Sequence, residues 1–160
     1  MVEVTLVGVR VELPTNQPIV LLKERDGGRF LPIWIGAVEA TAIAFALQGV
    51  VTQRPMTHDL LKSLLDELAV TVEGIDITEL REGTFYANIR LRTRGASYEV
   101  SSRPSDAIAL AVRAGAPIFA AEEVLEEASI NMREDETEET EVEKFREFLD
   151  QVTPEDFKSQ

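Results

Sequence analysis

The stretch VTVEGIDITELREGTFYANIRLRTRGASYEVS, residues 70–101, decides the fold class. Val70–Leu80, Thr84–Arg94 and Ser97–Ser101 read as strands, parted only by Glu82-Gly83 and Gly95-Ala96. Turns this short leave no room for a crossover, so the three segments pair antiparallel as a meander. Working outward, residues 57–69 place Leu60, Leu61, Leu64, Leu65 and Leu68 at helical spacing. Gly36–Gln48 is apolar on every side, as in a buried helix, and Gly49 suits its C-terminal end. Ile19–Arg25 and Phe30–Ile35 flank Asp26-Gly27-Gly28-Arg29, a hairpin signal because glycine and aspartate tolerate positive φ. In residues 2–13, Val7, Val9, Val11 and Leu13 alternate with Gly8, Arg10 and Glu12 as a first strand. Downstream, Pro104–Arg113 reads as a third helix ended by Gly115, Pro117–Phe119 as a short strand and Glu122–Ala128 as a short helix. This order predicts an α+β fold, a mostly antiparallel sheet with three main helices packed on it.

The 160 residues carry a formal net charge of −13, and its distribution is uneven. Residues 1–121 hold 12 basic and 14 acidic side chains, whereas residues 122–160 hold 4 and 15. The run Glu134-Asp135-Glu136-Thr137-Glu138-Glu139-Thr140-Glu141 repels itself and offers nothing apolar to bury. The expected organisation is a domain over residues 1–130 and an acidic, partly disordered tail over 131–160. Within the tail, Val142, Phe145, Phe148, Leu149 and Val152 predict a short amphipathic helix near 142–150. No apolar run approaches the ~20 residues of a bilayer span, and the charged, alternating start does not resemble a signal peptide. The expectation is a cytoplasmic protein with no membrane partner. Apolar helices in a chain this small also suggest a homo-oligomer, with a dimer favoured.

Several chemistries are excluded by reading. The chain lacks cysteine, which removes thiolate zinc, iron–sulfur clusters and a cysteine nucleophile. It has one histidine, so no multi-histidine metal site forms within it. Phosphate-loop, dinucleotide-binding, zincin and nucleophile-elbow motifs are absent from the sequence.

What remains is a pair of similar helix entrances, Arg54-Pro55-Met56-Thr57-His58-Asp59-Leu60 and Ser101-Ser102-Arg103-Pro104-Ser105-Asp106-Ala107. Each has Arg-Pro, then hydroxyl residues, an aspartate and an apolar helix. A structural account suffices for many of these residues. Proline suits the first turn, the hydroxyls of Thr57, Ser102 and Ser105 cap free N–H groups, and aspartate complements the dipole. The functional account uses the same physics: Arg54 and Arg103, with Thr57, Ser102 and Ser105, would bind substrate phosphates where helix N–H groups point outward. His58 would act as general base or acid, with Asp59 and Asp106 orienting it. The two entrances would then open onto one groove. Glu39, a lone charge in an apolar helix, joins Asp59 and Asp106 as a candidate ligand of a divalent cation such as magnesium. Arg90, Arg92 and Arg94 share a strand face, either a solvated surface or a track for a nucleic-acid backbone.

Three separated motifs carry a family resemblance. They are Leu31-Pro32-Ile33-Trp34-Ile35-Gly36 with Glu39-Ala40, the Arg54–Leu60 entrance, and Ser102-Arg103-Pro104-Ser105-Asp106-Ala107-Ile108-Ala109-Leu110-Ala111. In that order they resemble the bifunctional nuclease family, over about residues 1–130. The resemblance implies hydrolysis of phosphodiester bonds in DNA, RNA or both, and hence a nucleic-acid partner. It assigns no catalytic residue; His58, Asp59, Asp106, Arg54, Arg103 and Glu39 come from the chemistry above and fall inside the motifs. The competing expectation is a non-catalytic oligomer that binds an anion or a partner through the Arg-Pro helix starts.

Overall fold

The structure, a computed structural model, describes residues 1–12 and 14–131. The strands are β1 (Val2–Glu12), β2 (Gln17–Glu24), β3 (Arg29–Trp34), β4 (Thr71–Arg81), β5 (Thr84–Arg92), β6 (Ser97–Ser102), β7 (Ile118–Ala120) and β8 (Ile130–Asn131). The helices are α1 (Ala37–Gln48), α2 (Thr57–Glu67), α3 (Pro104–Ala114) and α4 (Glu122–Ala128). The expected α+β class is observed, and the segment expected near 142–150 lies outside the described residues.

The strands form one sheet in the order β6-β5-β4-β7-β1-β2-β3-β8. Two antiparallel meanders, β1-β2-β3 and β4-β5-β6, are joined edge to edge by the three-residue β7. Ile118 and Ala120 sit opposite Ile75 and Ile77 of β4 in parallel, and opposite Val4 and Val2 of β1 antiparallel. The Glu82-Gly83 turn places both residues at positive φ, 53° and 78°, which suits the twist of the β4–β5 hairpin.

The first strand departs from simple alternation. A register shift between Leu6 and Gly8 reverses which parity faces the core. Val4 is buried before the bulge, and Val9 and Val11 after it, while Val7 stays half-buried. In β2 every residue from Pro18 to Leu22 is buried, so both faces of that strand are covered. The sheet curls, bringing its two meanders toward each other across α4. Helix α4 touches both β4 and β3, strands separated by three others. The Ala121 N–H donates to the Ile77 carbonyl at 2.9 Å, and Arg29 of β3 donates to Glu122 at 2.9 Å.

Helices α1 and α3 pack against each other and against the sheet, burying Ala40–Phe45 and Ala107–Ala111. Small residues dominate both faces and allow close approach. Gly49 and Gly115 end these helices in the left-handed conformation, at φ 67° and 65°. Helix α2 leans on α3 at the margin of this layer. Its leucine stripe therefore divides. Leu61 and Leu65 pack on the core, whereas Leu60, Leu64 and Leu68 are 52%, 51% and 70% exposed. Among the described residues, no helix is long and apolar enough to cross a membrane.

Candidate active site

The starts of the three longer helices each carry a carboxylate in the first turn: Glu39 in α1, Asp59 in α2 and Asp106 in α3. Local sequence explains the placement. Pro104 occupies the first turn of α3 and biases the preceding Arg103 to extended backbone, observed at φ −70°, ψ 144°. At α1, Gly36 leaves space that a Cβ would take from the Glu39 carboxylate, which folds back over it.

A chain of ionic hydrogen bonds links these starts. Glu39 accepts from an Arg103 Nη at 2.6 Å, and Arg103 Nε donates to Asp106 Oδ2 at 2.9 Å. The other oxygen, Oδ1, lies 2.9 Å from His58 Nε2. Four candidate residues, Glu39, Arg103, Asp106 and His58, are thereby brought together from positions 48 and 64 residues apart in the chain. Exposure rises from His58 to Arg103 and falls again at Glu39, whose side chain is 15% exposed. The His58 side chain is 9% exposed, Asp106 33% and Arg103 65%. Hydrogen bonds from Arg103 to Glu39 and then to Asp106 raise the guanidinium above its ordinary pKa, so it stays cationic.

Asp59 belongs to a different arrangement. Its Oδ1 accepts from Arg113 Nε at 2.7 Å and its Oδ2 from the Met56 N–H at 3.1 Å. Burial raises the Asp59 carboxyl, but the bonds from Arg113 and from Met56 outweigh it and leave the group below its ordinary value. Arg113 itself is nearly buried, its side chain 9% exposed. It also donates to the carbonyls of Ala42 in α1, at 3.0 Å, and Ala109 in α3, at 2.9 Å. One guanidinium thus ties all three helices. Sequence reading missed Arg113, although the signal that singled out Glu39, a charge in an apolar helix, was present there too.

The remaining candidates fall as follows. Arg54 and Thr57 are exposed on the approach to α2. The hydroxyl caps do not form: Met56 and Arg103 are the N-cap residues, and Ser102 donates instead to the Arg103 carbonyl at 2.8 Å. Ser105 is buried and lines a groove of about 320 Å³ with Gln17, Trp34, Thr84, Phe85 and Arg103. None of the lining residues comes from the Arg54 entrance, so the expectation of one shared groove is not met there, although the α2 and α3 starts meet through His58 and Asp106. Glu39, Asp59 and Asp106 do not converge as one ligand set. Arg103 holds two of them and Arg113 the third. Among the described residues no cluster of three or more histidine and carboxylate side chains is arranged to hold a metal ion. The arginine track is also broken, because Arg90 pairs with Asp76 and Arg92 with Glu73, and Arg94 lies beyond β5.

Comparison with known proteins bears on these positions. An uncharacterized protein of Mycobacterium tuberculosis is 48% identical over 166 residues, with 99% of each chain covered. Bifunctional nuclease 1 of Arabidopsis thaliana is 31% identical over 105 residues, covering 63% of this chain, and bifunctional nuclease 2 of Oryza sativa subsp. japonica is 29% identical over 106. The matched region spans about a third of either plant protein, 32% and 33%. The bifunctional nuclease domain matches residues 20–133, a segment that contains the whole Glu39–Arg103–Asp106–His58 chain. This protein belongs to the bifunctional nuclease domain family.

Proposed function

We propose that the protein hydrolyses phosphodiester bonds of nucleic acid at the Arg103–Asp106–His58 cluster. The observation that carries this reading is the graded exposure of a bonded histidine–carboxylate pair beside an exposed arginine. Arg103 is bonded through Nε and Nη2 to Asp106 and Glu39, and its other terminal nitrogen, Nη1, is the group that would hold a phosphate oxygen. Asp106, 33% exposed, lies next to it: the attacking water oxygen bonds to phosphorus as its proton passes to this carboxylate, and the bond to the sugar oxygen breaks, the released alkoxide taking a proton from solvent water. His58 lies behind Asp106 and acts through it, fixing the carboxylate and sharing its proton. This differs from the roles expected from sequence, where His58 was the general base or acid and Asp106 oriented it, because the ring is the more buried of the two. Glu39 positions Arg103, and Asp59 serves the helix layer. The steps are assigned to this chain's own residues, and none is routed through a cation.

The test is cleavage of an end-labelled single-stranded oligonucleotide by purified wild type, Asp106→Asn and Arg103→Met. Loss of a general base lowers kcat about 100-fold or more, and loss of the anchor acts mainly on KM. Arg103 itself is 65% exposed but its partner Glu39 only 15%, so a thermal scan of each variant accompanies the rates to separate loss of chemistry from loss of folding. Wild-type rates in both variants would refute the assignment.

One observation favours a second reading, the non-catalytic oligomer. The exposed ridge of Leu60 and Leu64 on α2, continued by Leu68 just past its end, is spaced at i, i+4 and i+8, and a second copy could cover it. Sedimentation of Leu64→Glu against wild type decides whether the ridge assembles copies. A cleavage-inactive wild type that dissociates on this substitution would establish the second reading over the first.

A further inference from the structure

The groove beside Arg103 has a composition that the cleavage cluster does not use. Its rim carries Trp34, at the end of β3 and 53% exposed, the single tryptophan of the chain. Large aromatic side chains left half in water at a groove, beside a cation, are costly to hydrate and suited to stacking a flat partner. The platform is also held in place. The Ile35 N–H donates to the Pro18 carbonyl at 3.1 Å, and the Gln17 amide donates to the Ile35 carbonyl at 3.3 Å. These bonds fix the backbone on the C-terminal side of Trp34, and β3 pairing fixes it on the other, with Trp34 opposite Ile19.

We propose that this groove is a nucleobase subsite, in which one unpaired base stacks on Trp34 while its phosphate reaches Arg103. This deepens the nuclease reading and rests on it for the identity of the ligand. Three features argue for this occupant. The volume, about 320 Å³, lies at the lower end of small-ligand sites, enough for a base and too little for a duplex. Arg103 belongs to both the groove and the cleavage cluster, so an anion held there lies in the groove that Trp34 also lines. The lining mixes aromatic surface from Trp34 and Phe85 with hydroxyls and an amide from Thr84, Ser105 and Gln17, as a base with polar edges requires. A stacked base must leave its own strand's pairing, so the substrate class is single-stranded nucleic acid or an unpaired end.

Because Trp34 is the only tryptophan, its emission reports this groove alone. Wild type, with a chelator present, is titrated with a thymidine octanucleotide and with an abasic octamer of equal charge. Base stacking predicts quenching by the first and not by the second. Fluorescence anisotropy of labelled oligomers then gives affinities: Trp34→Ala weakens the thymidine octamer about five-fold or more, toward the abasic level, and Trp34→Phe restores most of the loss. Equal quenching by both oligomers, or unchanged affinity in Trp34→Ala, overturns the proposal. The two readings also separate. Quenching without cleavage, the cleavage assayed with magnesium and no chelator, keeps the base subsite and removes the nuclease, whereas cleavage with no quenching does the reverse. No binding of either oligomer overturns both.

Discussion

Replacing Arg113 with methionine probes the junction that holds the three helices, and hence the cluster at their starts. The guanidinium makes three charge-assisted bonds, one to Asp59 and two to the carbonyls of Ala42 and Ala109. A hydrogen bond with a charged partner contributes about 1.5–3 kcal/mol, which sets the upper bound before compensation. The carbonyls lie inside α1 and α3, and Asp59 keeps its Met56 N–H, so neither partner is wholly orphaned. Methionine recovers part of the packing in a site that is 9% exposed. The net cost is about 2–4 kcal/mol, a fall in melting temperature of roughly 5–15 °C for a chain of this size. A pH signature accompanies it. The Asp59 carboxyl is lowered in the folded state, so its contribution is complete above the unfolded value of about 3.9 and is lost as pH falls through the lowered one. Urea denaturation of wild type and Arg113→Met at pH 7 and pH 3 measures both effects. The variant loses stability at pH 7 and shows a shallower acid decline. A double-mutant cycle with Asp59→Asn gives the pair's coupling. An unchanged midpoint at pH 7, or additive effects in the cycle, would refute this account of the junction.

Two glycine substitutions should differ sharply. In Gly36→Ala the new Cβ meets the end of the flexible Glu39 side chain, which swings aside, so the melting temperature holds within about 2 °C. In Gly74→Ala it meets Arg90 Nη2 at 2.6 Å and the Pro117 carbonyl at 3.2 Å, and that carbonyl already accepts the Ile75 N–H, so about 1–3 kcal/mol is lost in the same thermal scan. Removing residues 134–160, which carry 11 acidic and 3 basic side chains, should tighten binding of a single-stranded oligonucleotide at low salt. The gain should shrink as salt screens charge beyond about 10 Å at 0.1 M, and equal low-salt affinities would show that the segment does not oppose the nucleic acid.

The elements that sequence rendered legible are those governed by local physics. The β2–β3 hairpin falls at Asp26-Gly27-Gly28 as expected, although none of the three takes the positive φ that was the reason for expecting it. Helices α1 and α3 follow from their apolar content and terminal Gly49 and Gly115, and α4 emerged with its expected bounds, Glu122–Ala128. Pairing across the chain was hidden. Three residues, Ile118–Ala120, join the two meanders, and nothing local tells a strand that short which neighbours it will have. The bulge at Leu6 and Gly8 likewise depends on the partner strand. At the site, sequence selected His58, Asp106, Arg103 and Glu39 by residue type, and their convergence became visible only in three dimensions. Asp59 was assigned to the same cluster because it adjoins His58, but successive helical residues diverge by about 100°, and its carboxylate meets Arg113 instead.

The cleavage rates of His58→Ala, Asp106→Asn and the double variant, at saturating oligonucleotide and with folding confirmed by thermal scan, test the central claim most directly. If the pair acts as one proton-handling unit, each single change lowers kcat about 100-fold or more, and the double variant is no slower than the slower single one. His58→Ala also changes the shape of the pH–rate profile, which a purely structural loss would leave in place. Losses that multiply in the double variant, or wild-type turnover in Asp106→Asn, would contradict the account.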